Sequence, residues 1–210
     1  MLEIFINGGP VMYPLLVCSI LSLTVIIERS IFWLRVDIKK SLPMADEVLD
    51  LCRHGDWEGI RAIVTGSKNS VIRILVSGIL HREFSMTKAM EASAGDEIQR
   101  MRRFMGVLDT LITVAPLLGI LGTVVGIIMS FQALGTSGIE HPQAVTAGIA
   151  QALITTAAGL SIAILTLFPY NYFNSSIDNA VFIIEKYTTS LEIVYEKRVQ
   201  GRNGQEGKNE

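Results

Sequence analysis

Thr123, Gln151, Thr155 and Thr156 are polar residues set in stretches that are otherwise apolar and free of charge. Thr123 lies in TVAPLLGILGTVVGIIMSF (113–131), and the other three in AGIAQALITTAAGLSIAI (147–164). A hydroxyl donates one hydrogen bond and accepts two, and a primary amide does both without titrating. In an apolar setting such groups can hold water, an ion or another molecule's carboxyl group. The same stretches are rich in residues that let backbones approach closely. Gly119, Gly122 and Gly126 step by three and four, and Gly122 with Gly126 forms GxxxG. Gly148, Ala152, Thr155, Gly159 and Ala163 make a second ridge. In lipid, helices associate by close packing across small residues, because apolar burial drives nothing there. Pro116 frees a carbonyl of its own helix, which needs a partner in protein or water. Two readings stand. The hydroxyls either bond back to their own carbonyls in ordinary helix contacts, or form a polar inner surface. Threonines on both stretches, with Gln151 among them, favour the polar surface.

The elements that must carry these residues follow from where the charges are missing. No charged residue falls between Glu3 and Glu28, between Asp109 and Glu140, or between Glu140 and Asp178. Crossing the hydrocarbon core takes about 20 apolar residues in a helix, and each window is long enough. Half of the 210 residues are hydrophobic and the net charge is −2, so neither composition nor charge suggests a nucleic-acid partner. The pattern predicts an all-α integral membrane protein with three transmembrane helices. Expected boundaries are a periplasmic N-terminus (1–10), a first span (11–33), a cytoplasmic helical domain (34–105) and a second span (106–134). A periplasmic loop (135–145), a third span (146–172), a cytoplasmic helix (173–200) and a disordered tail (201–210) complete the chain. All 18 lysines and arginines lie at Arg29, in Arg35–Arg103 or in Lys186–Lys208, which by the positive-inside rule puts the N-terminus and the 135–145 loop outside. The start MLEIFINGGPVMYP has no basic n-region, and no small-residue cleavage site follows, so the first span is expected to be a retained anchor.

Within the cytoplasmic region the punctuation predicts short helices. Ser41 with Pro43 opens one; Gly55 ends it and Asp56 caps the next; 65–70 is a turn; Ser85 caps a helix that is expected to run unbroken from Met86 into the second span. Apolar positions Ala94, Ile98, Met101, Met105 and Leu108 form a stripe, as do Ile177, Val181, Ile184, Thr188, Leu191 and Tyr195, and stripes of this period want a partner helix. Cys18 and Cys52 are expected to remain free thiols, and with His54 they supply too few ligands for a metal site. His54, His81 and His141 read as surface or loop residues. No ionisable group falls deep in any span: Asp109 is near the inner end of the second, where it is either an inner-mouth acid on an ion path or a water-exposed one, and Glu28 is at the boundary of the first.

The sequence also resembles a known family. APLLGILGTVVGIIMSF, AGIAQALITTAAGLSIAI with the following YNYF, GGPVMYPLLVCSILSLTVIIERSIF and GDWEGIRAIV are similar to the ExbB/TolQ branch of the MotA/TolQ/ExbB proton-channel family. The four-span MotA type fits less well. The resemblance covers nearly the whole chain and implies a ring-shaped homopentamer whose second and third spans line a pore. That pore would hold the membrane helices of two ExbD/TolR-like subunits, each supplying an aspartate, and ion flow would be coupled to motion. A TonB/TolA-like transducer would carry the work to the outer membrane. By position, Thr123 and Thr156 match the family's pore threonines, with Gln151 and Thr155 beside them. Pro116, Gly119, Gly122 and Gly126 match its packing positions, and Tyr170 with Asn171 the inner-end pair, while Gly148 and Gly159 are packing positions by their place in the second ridge. Gln151 departs from the usual glutamate of GIAEAL, so a proton acceptor must come from a partner, and H⁺ and Na⁺ both stay open as the transported ion. No cofactor or metal is implied beyond that ion.

Three functions compete. A stator-like ion-channel subunit at the bacterial inner membrane is favoured; a scaffold that assembles a complex without conducting shares its packing ridges. An enzyme is disfavoured, since the chain holds no GxxxxGK[ST], HExxH or CxxC and no nucleophile–base pair identifiable from spacing.

Overall fold

The computed structural model describes residues 8–36, 42–64, 69–137 and 142–206, with no side-chain description for 64, 136, 137, 142, 144, 145 and 201–206. His141 and Ser41 lie outside the described residues. Among the described residues seven helices follow one another: α1 (Met12–Arg35), α2 (Leu42–His54), α3 (Trp57–Val64), α4 (Ser70–Leu80), α5 (Met86–Arg102), α6 (Met105–Ser137) and α7 (Pro142–Glu206). No strand occurs among the described residues. Among the described residues three helical stretches are long and apolar enough to cross a membrane: α1, the stretch that contains α6, and α7. The chain divides into two compact units. One comprises Met1–Ile31 with Phe104–Asn174, the other Phe32–Arg103 with Ser175–Glu210.

The first unit packs α1, α6 and α7 side by side. Val11, Met12 and Leu15 of α1 meet Ala115 of α6, with Leu118, Val125, Ile154, Ala158 and Ile162 closing around them. Ser22 of α1 and Thr166 of α7 share a 2.5 Å hydroxyl–hydroxyl bond. Thr166 donates to its own helix at the Ile162 carbonyl (2.7 Å), so Ser22 is the donor of the pair. Gly9, just before α1, meets Gln151 of α7, and Ser22 further along meets Thr166 further along. Helices α1 and α7 are therefore parallel. Contacts between α6 and α7 run the other way: Gly126 meets Gly148 and Ala152, while Ala115 meets Gly159. The entry to α1, the later turns of α6 and the early turns of α7 accordingly lie at one end of this unit, as a three-pass chain requires. Near the other end Arg29 is 2 % exposed and pairs with Glu28 through Nε (2.5 Å) and Nη2 (2.6 Å).

The second unit is assembled by caps and a few long reaches. Gly55, at φ +74°, ends α2, and Asp56 accepts the Gly59 N–H at 2.8 Å to start α3. Asn69 caps α4 by accepting the Val71 N–H at 3.0 Å, and Ser85 caps α5 through Lys88. The α7 extension buries Ile177, Ile184 and Leu191 of its apolar stripe. Its polar positions reach across the unit. Tyr187 donates to Asp46 (2.9 Å), Tyr195 to the Arg82 carbonyl (3.3 Å), and Arg198 to the Cys52 and Arg53 carbonyls at the end of α2 (3.2 Å each). Trp57 lies beneath two guanidiniums, Arg82 at 4.6 Å and Arg198 at 5.5 Å.

Two expectations need correction. The helix from Met86 does not run unbroken into the membrane: α5 stops at Arg102 and α6 begins at Met105, with Phe104 between them at φ +64°. A left-handed phenylalanine is unfavourable by roughly 1–2 kcal/mol, and its ring sits 5.8 Å from the buried Arg29 guanidinium, a contact that favours this placement. The tail is not irregular from residue 201 either, because the backbone of α7 stays helical to Glu206. No proline interrupts that segment, and extending an existing helix is far easier than starting one.

Candidate functional site

The small-residue ridges of α6 and α7 form one contact. A methyl group at Gly126 would come within 2.7 Å of the Gly148 carbonyl oxygen, and one at Gly148 within 2.8 Å of the Gly126 carbonyl oxygen. At Gly119 a methyl would stand 3.0 Å from Cα of Thr156, at Gly122 it would fall on the Thr155 hydroxyl, and at Gly159 on the Ala115 carbonyl. Gly148 also faces Ser130, whose hydroxyl donates back to the Gly126 carbonyl at 2.9 Å. Pro116 sits half-buried within α6, one residue after Ala115.

This contact sorts the polar residues. Thr155 is fully buried in it, and its hydroxyl donates to carbonyls of its own helix, at Ala152 (2.8 Å) and Gln151 (3.3 Å). Thr156 is half-buried and donates across the contact to the Gly119 carbonyl at 3.0 Å. Thr123 is half-buried and donates to the Ile120 carbonyl at 2.6 Å. A hydroxyl engaged as donor keeps its oxygen lone pairs as acceptors. The part-exposed oxygens of Thr123 and Thr156 can therefore accept from water or from a protonated carboxyl group; that of Thr155 is closed in. Gln151 is half-buried with its amide against Gly9, which has φ +69° and no room for a β-carbon beside that amide.

Asp109 is exposed one turn into α6. Thr113, also exposed, stands one further turn along and donates to the Asp109 carbonyl at 3.1 Å. Positions 109, 113, 116, 120 and 123 fall on one face of a helix with 3.6 residues per turn, so Asp109, Thr113 and Thr123 mark a single partly polar stripe along α6. Sequence reasoning passed over Thr113, although its spacing of four from Asp109 was the signal. It also passed over Ser22, Ser130 and Thr166, whose hydroxyls are all buried at helix contacts. On α7, Tyr170 is half-buried and Asn171 exposed. Among the described residues no three His, Cys, Asp or Glu side chains are grouped to hold a metal ion.

The fold and site define a multi-pass helical membrane protein in which two apolar helices carry hydroxyls at a glycine-packed contact. The model of the MotA/TolQ/ExbB proton channel family matches residues 67–186, a span that includes all of α6 and the membrane part of α7. A protein of Synechocystis sp. bearing the name biopolymer transport protein ExbB-like 1 is 39 % identical over 203 residues, covering 93 % of this chain and 79 % of that one. ExbB-like 3 of the same organism is 33 % identical over 195 residues, covering 90 % and 92 %. The Tol-Pal system protein TolQ of Haemophilus influenzae is 36 % identical over 109 residues, about half of each chain. The chain belongs to the MotA/TolQ/ExbB family, on its ExbB/TolQ branch.

Proposed function

We propose that this chain is the pore-forming stator subunit of an ion-driven motor in the bacterial inner membrane, with its N-terminus outside. Five copies would form a ring around two single-span ExbD/TolR-like helices, and a TonB/TolA-like transducer would carry the work outward, as in TonB-dependent transport. The observation that carries this reading is the family match across both helices that bear Thr123 and Thr156.

The proposed mechanism follows from what the residues can and cannot do. Gln151 cannot titrate, and Asp109 stands only one turn into α6. A proton crossing the middle of the membrane therefore needs a carboxylate from the partner helix. Thr123 and Thr156 supply oxygen acceptors with fixed donors, able to hold the partner's protonated acid or a water next to it. Asp109 and Thr113 would meet the ion at the inner mouth. With H⁺ the step is protonation and release of the partner's carboxyl; with Na⁺ the same oxygens would replace part of a hydration shell.

One observation favours a second reading, a non-conducting scaffold. The hydroxyls of Thr123, Thr155 and Thr156 all donate to backbone carbonyls of this same chain. Native mass spectrometry of the complex, taken gently from its own membranes, separates the two. The stator reading expects five copies with two copies of a small single-span protein that has an aspartate in its span. A monomer or dimer with no such companion in several mild detergents would favour the scaffold.

A further inference from the structure

The end of α5 carries a feature that the ion path does not use. A cleft of about 640 Å³ in the second unit is lined by Arg73, Arg100, Arg102 and Arg103, with Asp96 and Glu97. Glu97 is 4 % exposed and binds Arg73 Nη1 at 2.9 Å, Arg100 Nη1 at 3.4 Å and the Ser70 hydroxyl at 2.9 Å. One buried carboxylate thus holds two guanidiniums from two different helices, while both stay about half exposed. The lining of the cleft thus carries four guanidiniums and two carboxylates. Guanidinium is the side chain best matched to phosphate oxygens, because its planar fork can bind them in pairs. Anchoring by Glu97 fixes two of these forks before any ligand arrives, which lowers the ordering cost of binding.

Position along the chain narrows the source of the phosphate. Arg103 is followed, after Phe104 alone, by α6, the helix of the second candidate span. The arginines at the end of α5 therefore immediately precede, in the chain, the helix that carries the second candidate span. Basic clusters at this place attract anionic lipid by about 1 kcal/mol for each charge. We infer that this cleft binds a phosphate-bearing anion, and that an anionic phospholipid headgroup is the source its position favours. Arginines that only bias membrane topology or complement the helix dipole would need neither a shared buried carboxylate nor a cleft.

The test uses the full-length assembled protein in mild detergent. Binding of dihexanoyl phosphatidylglycerol, dihexanoyl phosphatidylcholine and inorganic phosphate is followed by native mass spectrometry and by the shift in unfolding temperature. The inference expects saturable phosphatidylglycerol binding that weakens with salt and exceeds phosphatidylcholine binding. Arg102→Gln with Arg103→Gln should weaken it roughly thirtyfold, two charges at the stated increment, and Lys197→Gln should leave it unchanged. Inorganic phosphate binding as tightly as phosphatidylglycerol would support the anion site and assign it to a free phosphate. Asp96→Asn guards against a double variant that fails to fold, since it should tighten binding by roughly fivefold. Equal binding of the two lipids by the unaltered protein overturns the inference. So does phosphatidylglycerol binding indifferent to the double variant, or no tightening in Asp96→Asn.

Discussion

Gly126→Ala puts the α6–α7 contact to a quantitative test. The new methyl would lie 2.7 Å from the Gly148 carbonyl oxygen and 3.1 Å from both the β-carbon and the amide nitrogen of Ala152, whereas ordinary contact begins at 3.4 Å. The helices must therefore part by about 0.7 Å at this point. Both sides are backbone or a β-carbon, so no flexible side chain can yield. Overpacking of this kind costs about 1–3 kcal/mol, and the better helix propensity of alanine returns up to about 1 kcal/mol. The expected net loss is about 1–2 kcal/mol, or roughly 3–6 °C in the unfolding midpoint for a chain of this size. Gly106→Ala, in the same helix, meets nothing within 4 Å. It should be neutral or raise the midpoint by roughly 2–3 °C. The assay is thermal unfolding of the two purified variants beside the parent in one detergent. A neutral Gly126→Ala, or equal shifts of the same sign in both variants, would refute the packing argument.

Other expectations follow from single contacts. Thr156→Val removes the hydrogen bond to the Gly119 carbonyl and keeps the side chain's shape, so it should cost about 1 kcal/mol or less by unfolding in detergent. The assembly should survive while energised function is lost, and Gln151→Ala should be milder in the same functional assay. Gly9→Ala meets both an unfavourable φ and the Gln151 amide. Adding Gln151→Ala should restore part of the lost stability, measured as a double-mutant cycle; strict additivity would mean that the amide is not the obstacle. Cys52 is fully buried. Burial raises its thiol pKa, with Arg198 and then Arg82 opposing the shift, so the neutral thiol is favoured. Maleimide at pH 8 should label it slowly in the folded protein and quickly after denaturation. Because the folded pKa is the higher one, the associated stability is complete below the unfolded thiol's value of about 8.5 and declines as pH rises above it. Melts across that range should show the decline.

The spans were legible because charge is costly in lipid, so windows without charge report the membrane directly. Caps at Asp56, Asn69 and Ser85 were legible or nearly so, since a short polar side chain before an apolar run has a local mechanism. The break at Phe104 was not: phenylalanine has no left-handed preference, and the Arg29 guanidinium beside it comes from another helix. Thr155 and Thr156 show the same limit within the site. Adjacent residues point about 100° apart on a helix, so they had to face differently, but only the register of α6 against α7 reveals which of them is closed in. The neighbour of Gln151 is Gly9, far away in sequence, and no local pattern could have paired them. Thr113 is legible by its spacing of four from Asp109.

Passage of ions along a path marked by Thr123 and Thr156 is what the proposed function requires. Its most direct measurement is proton or sodium flux into vesicles that hold the complex purified with its companion subunit, loaded with a pH- or sodium-sensitive dye. The account predicts a flux for the unaltered complex that Thr123→Val and Thr156→Val each abolish while subunit composition stays the same. Undiminished flux in both variants, or no flux above protein-free vesicles from an intact complex, would contradict it.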